Sequence, residues 1–209
     1  FIFIFTFGIV HGANDLLLIK NIKSKQKSNS PLKILISYLI VVLIGILLFY
    51  VVPEVALSLF IIVSAYHFGE QQWQNLQRDF PSGLLVLFHF FYGFLILLLL
   101  FNAHTNQVQS IIFTIAKVNI PSIYIEISLK ISAAIFIVLS IYFYWKLERI
   151  RKKILVEFFY LVLFTIIFHS SSLIWGFAIY FILWHSIPSI IDQIKFLNGS
   201  YSLKYFIAY

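Results

Sequence analysis

Residues 84–101, LLVLFHFFYGFLILLLLF, run eighteen positions without an acid, a lysine or an arginine. A stretch of that length and character is fit to cross the hydrocarbon core of a bilayer, which takes about 20 apolar residues as a helix. In lipid the backbone must satisfy its own hydrogen bonds, so the run reads as a helix and the chain as a helical membrane protein. Within the run stands His89. An ionisable side chain at membrane depth is costly and generally faces a bundle interior, where it serves a site.

Outward from this run, further apolar stretches fall at roughly 1–19, 34–52, 55–69, 123–145, 154–168 and 173–194. The expected fold is all-α, a polytopic transmembrane helical bundle of about seven spans. The stretches at 55–69 and 154–168 hold about 15 residues each, short for a crossing. Residues 107–121, QVQSIIFTIAKVNIP, are too short and too polar to cross and read as an interfacial or re-entrant segment.

Composition agrees, with 61% hydrophobic and 11% charged residues in a chain of 209 and a mean hydropathy of +0.97. A soluble domain is nearer 45–50% apolar. With no repeat, heptad or glycine-rich phosphate loop, we read residues 1–209 as a single transmembrane domain. It begins at Phe1 with apolar sequence and no basic leader, so we take the N-terminus as clipped rather than as a signal peptide. Cysteine is absent, which excludes disulfides and thiolate metal sites.

Basic residues set the expected orientation. Lys20, Lys23, Lys25, Lys27 and Lys33 form one acid-free linker, and Lys146, Arg149, Arg151, Lys152 and Lys153 crowd a second. Both belong in the cytoplasm, which places the N-terminus outside in a multi-pass protein of the cell membrane, a bacterial inner membrane. The net charge of +7 is met by anionic lipid on the cytoplasmic leaflet, so no nucleic-acid partner is called for.

In this topology His11, His67 and His185 all fall in the cytoplasmic half, with His89 at a similar depth, while His104 and His169 lie at outer ends and read as interfacial. Asp15 shares a helical face with His11, and a carboxylate is a usual partner for the second nitrogen of a metal-bound imidazole. Glu70 follows His67 by one turn. Pro188 follows His185 and removes the backbone donor to the Trp184 carbonyl, so a kink beside that histidine is expected. A lone buried histidine is more often a hydrogen-bonded packing residue; three at one depth with carboxylates nearby point to a joint metal site. Trp73, Trp145 and Trp175 near span ends fit an interfacial aromatic belt. Glu126 and Lys130, four apart, read as a surface ion pair.

Imidazoles without thiolates suit iron, zinc or copper. The chain lacks the His-Glu-x-x-His zinc signature, and a substrate reaching the site through lipid is apolar and offers little to hydrolyse. Oxidation of a lipid is the chemistry that fits.

The motifs GIVHGANDLLL, SAYHFGEQQW and WHSIPSIIDQ, in this order on the first, third and last stretches, resemble the bacteriorhodopsin-related-protein-like (Brp/Blh) family of membrane β-carotene 15,15′-dioxygenases. The resemblance covers the architecture of the chain and is specific at these three motifs. It implies cleavage of the central double bond of β-carotene by O2 at a histidine-bound Fe(II), giving two retinals. It also implies His11, His67 and His185 as metal ligands, a carotenoid arriving from the lipid phase, and retinal passed to a microbial rhodopsin. The family pattern has a second histidine one turn after the last of these, where this chain has Ser189. The position left open would be filled by water, Asp15, Glu70 or His89. Tyr66 and Trp184, beside ligands in sequence, are candidates for the substrate tunnel wall. Three other classes compete: a carotenoid- or retinal-binding assembly protein without catalysis, an ion-coupled membrane transporter, for which Pro188 gives the only helix-break signal, and a haem-binding electron carrier, which needs a histidine pair bracketing a porphyrin.

Overall fold

The computed structural model describes residues 31–76, 82–202 and 206, so His11 and Asp15, with the expected first span, lie outside the described residues. Every regular element among the described residues is helical. They form two compact units, one of residues up to Tyr50 and from Ala178 onward, the other Val51–Phe177.

In the first unit α1 covers Pro31–Val51. It stops there because Pro53 disfavours helical geometry in Val52, which sits at φ −137° and ψ 66°. The leucine, isoleucine and valine side chains of α1 are largely exposed, a surface suited to hydrocarbon.

The second unit opens with α2, Pro53–Gln72, which carries Pro53 in its first turn where no amide hydrogen is needed. A 3-10 turn at Gln74–Leu76 follows. Then come α3, Ser82–Ala103, α4, Thr105–Ala116, α5, Ser122–Lys146, α6, Glu148–Ser170, and α7, Leu173–Ile179, which runs to the unit's edge. Helix α3 is the centre, packing on α2, α5 and α6. Helix α6 shows why hydropathy alone could not orient these helices. Its buried stripe is Ile150, Ile154, Glu157, Leu161, Phe164 and Phe168, at alternating spacings of four and three. Its other face is apolar too, with Leu155, Phe159, Val162 and Ile166 exposed. Phe88, Phe136 and Phe143 interlock at the centre, with ring centroids 5.2–5.3 Å apart around Phe88.

Four helical runs are long and apolar enough to cross a membrane: Gly83–Ala103, Ser122–Lys146, Glu148–Ser170 and Leu173–Asn198. Helices α2 and α6 have 20 and 23 residues, longer than the 15 expected from hydropathy. Charged and amide residues at their ends, Glu70 to Gln72 and Glu148 to Lys153, are good helix formers, so the backbone continues where the apolar signal stops. Those same polar residues keep α2 out of the set of apolar spans. The expected interfacial segment is the 12-residue α4, too short to cross.

Back in the first unit, a π-helix covers Tyr180–Ser186 and leads into α8, Ile187–Asn198. Beside Pro188, where a kink is expected, the helix has wide turns: the Ile187 amide donates to the Ile182 carbonyl, five residues back. The pyrrolidine ring crowds the carbonyl four residues before it, and a widened helix is one way to clear that carbonyl without breaking the run.

Candidate functional site

Helices α2 and α3 cross at backbone contact. A Cβ on Gly69 would overlap the backbone carbonyl of His89, and one on Gly93 would overlap that of Ala65. Small residues one turn apart on α2, Ala65 and Gly69, therefore let α3 come close enough to set His89 against the end of α2 that carries His67 and Glu70.

At this crossing the structure brings together Tyr66, Glu70 and His89. The Tyr66 hydroxyl donates to Glu70 Oε1 at 3.0 Å, and the Tyr66 and His89 rings lie 6.1 Å apart, tilted by 56°. Tyr66 and Glu70 are half-buried. His89 is 1% exposed, and among the described residues neither of its ring nitrogens has a hydrogen-bond partner. A buried imidazole has at least one donor and one acceptor to satisfy, and leaving them unmade costs about 1–3 kcal/mol. Such an orphan in a folded protein calls for an explanation, such as a bound water, an ion or a catalytic role.

His67 shares α2 with Tyr66 and Glu70 but is exposed, its ring 6.4 Å from that of Phe68. His185, Trp184 and Ser189 belong to the other unit. His185 is buried in the π-helix and stacks on Phe181, centroids 5.6 Å apart and planes 28° apart. The hydroxyl of the neighbouring Ser186 is buried and has no hydrogen-bond partner among the described residues. Trp184 and Ser189 are half-buried. Short π-helical stretches recur at functional sites because the wide turn re-aims side chains. Among the described residues no three of His, Asp and Glu lie together as a metal-holding group.

Of the outer histidines, His169 is exposed and its Nδ1 lies 2.9 Å from the Thr165 carbonyl, while His104 precedes α4. Glu126 and Lys130 form the expected exposed pair at 2.6 Å. Trp145 and Trp175 are exposed, as belt residues are. Trp73 is a correction: it is 2% exposed, edge-on to Phe88 and Tyr92 at 5.0 and 5.8 Å. The chain turns inward at the end of α2, and Lys153 covers the indole at 4.9 Å.

That turn belongs to a polar network the sequence reading passed over. Glu157 on α6 is fully buried. Gln72 Nε2 donates to its two oxygens at 2.9 and 3.0 Å, the Tyr92 hydroxyl donates to Oε2 at 2.7 Å, and Lys153 Nζ pairs with Oε1 at 3.1 Å. Lys153 also donates to the Gln72 carbonyl at 2.7 Å, covering a carbonyl that the end of α2 leaves free. The signal was present in the sequence: a carboxylate three residues inside the apolar stretch at 154–168 is as costly as a histidine there.

The family model described as Beta-carotene 15,15'-dioxygenase matches residues 2–208. No curated protein and no solved structure matches the chain.

Proposed function

The chain belongs to the beta-carotene 15,15'-dioxygenase family, and from that premise we propose that it cleaves the central double bond of β-carotene with O2, at an Fe(II) held by histidines, to give two retinals. The family match over nearly the whole chain carries this reading. The orphaned, buried imidazole of His89 beside the Glu70 carboxylate supports it, since imidazole with carboxylate and without thiolate is donor chemistry that Fe(II) accepts.

Within this proposal His11, His67 and His185 hold the iron, with His89 or Glu70 serving in the position that Ser189 leaves open. When bound, Fe(II) with open coordination positions supplies the means to activate O2. The chain does the rest. Tyr66 holds Glu70 by its hydrogen bond to Oε1 and so orients the carboxylate. The backbone contact of α2 with α3 leaves no room for water between them at Gly69 and Gly93. The apolar outer faces let a carotenoid approach laterally from lipid, where Tyr66 and Trp184 would line its path. The protein is a multi-pass inner-membrane enzyme, N-terminus outside and basic linkers cytoplasmic, that hands retinal to a microbial rhodopsin.

Expression in a β-carotene-producing bacterium tests this, with pigment loss and retinal followed by chromatography. Retinal at two per carotene consumed is the expected result. Unchanged carotene that copurifies with the protein would instead favour a binding protein.

A further inference from the structure

The Glu157 network ties three helices at one point. Gln72 is the last residue of α2, Tyr92 lies in the middle of α3, and Lys153 and Glu157 are one turn apart on α6. Gln72 stands two residues after Glu70 and five after His67, and Tyr92 stands three after His89. Gln72 and Tyr92, which both reach the Glu157 carboxylate, are therefore each within about a turn and a half of a residue of the candidate site.

Stability does not account for such an arrangement. An ionised carboxylate taken fully out of water costs several kcal/mol, and its Coulomb attraction to lysine only roughly repays that. An apolar side chain of similar volume in this buried position would hold the helices together as well or better. A buried polar network supplies directional constraint instead: each of its hydrogen bonds has one good geometry, whereas apolar contacts tolerate sliding. The glycine contacts at Gly69 and Gly93 fix how close α2 and α3 come. They leave rotation about the helix axes and sliding along them to be fixed by something else.

We propose that Glu157 is a positioning residue: its carboxylate locks the end of α2 that carries His67 and Glu70 against the part of α3 that carries His89. The catalytic side of this inference rests on the function proposed above; the mechanical side does not. Gln72 grips both carboxylate oxygens and so sets the rotation of the α2 end. Tyr92 takes Oε2 and so sets the height of α3. Lys153 holds Oε1 and the Gln72 carbonyl together, keeping the end of α2 closed.

The test uses the full chain in lipid nanodiscs, loaded with Fe(II), as wild type, Glu157→Gln, Tyr92→Phe and the double variant. Removing partners that orient a metal site costs about 10–100-fold in activity or metal affinity. We expect kcat for β-carotene to fall by about that factor in either single variant, with KM and the unfolding midpoint unchanged. The double variant should be no worse than the more affected single one, because the two groups act as a unit. In parallel, with no native cysteine to interfere, spin labels at Leu59→Cys on α2 and Leu87→Cys on α3, both exposed, report the distance between the helices. The distribution should be narrow in the wild type and broadened in Glu157→Gln. An unchanged distribution overturns the proposal, and so does a loss of kcat that tracks a fallen unfolding midpoint. A wild type that makes no retinal removes the carotene reading alone. The inter-helix distances then decide, broadening upholding the lock and constancy ending it.

Discussion

The backbone carbonyl of His89 rests where a side chain on Gly69 would have to be. This single contact brings a buried histidine to the end of the helix that carries the SAYHFGEQQW motif, and it depends on the absence of one carbon atom.

Gly69→Ala should therefore be damaging out of proportion to its size. Backbone cannot move aside as a flexible side chain can, so α2 and α3 must separate, at a cost of about 1–3 kcal/mol or more. Gly93→Ala should behave alike, since its Cβ would meet the Ala65 carbonyl. Gly45→Ala on α1, with nothing within 4 Å, should be neutral or stabilising by up to about 1 kcal/mol. Thermal unfolding in detergent measures all three, and equal midpoints for Gly69→Ala and Gly45→Ala would show that the crossing is looser than described.

His89 should reveal itself by trading stability against function. Its nitrogens are buried with no hydrogen-bond partner among the described residues, so His89→Leu relieves an unmet polar cost of about 1–3 kcal/mol while filling similar space. We expect a higher unfolding midpoint together with loss of bound iron and of retinal formation. A variant both less stable and fully active would mean that His89 is a packing residue.

The helical class and most helix positions were legible in the sequence because long uncharged runs such as 84–101 admit little else in lipid. The ends of α2 and α6 were not, since hydropathy follows polarity and helix formation does not. The candidate site was legible only in part. His89 and Glu70 stood out as polar groups beside apolar runs, yet their approach depends on Gly69 and Gly93, two glycines among many. Glu157 carried the same signal as the histidines and was passed over because attention followed imidazoles. Trp73 looked like an interfacial tryptophan because it ends a span; only the fold shows the chain turning inward there.

The histidines should separate by role. His11→Ala, His67→Ala and His185→Ala should each abolish retinal formation and lower iron content, whereas His104→Ala and His169→Ala should leave both near the wild-type level. His169 spends its Nδ1 on the Thr165 carbonyl within its own helix, a local contact that a neighbouring water can replace. Iron per chain and retinal by chromatography, each normalised to folded protein, make the comparison. Equal tolerance at His67 and His104 would refute the assignment of His67.

Ser189 lies four residues after His185, just beyond the π-helix and one residue past Pro188. In an unbroken α-helix that spacing puts two side chains on one face. The Ile187 amide reaches back five residues to Ile182, so the wide turn that holds His185 closes before Ser189, which stands in the α-helix beginning at Ile187. A serine hydroxyl is a weak neutral ligand for iron, so little is lost by replacing it. If the chain still places position 189 toward the metal, Ser189→His should supply a further nitrogen, raising iron occupancy at limiting metal with activity held or increased. It should also make His89→Ala less harmful, because the two imidazoles would serve the same open position. Iron titration of Ser189→His with and without His89→Ala reads this directly. Unchanged iron affinity in both backgrounds would show that the π-helix has turned position 189 away from the site.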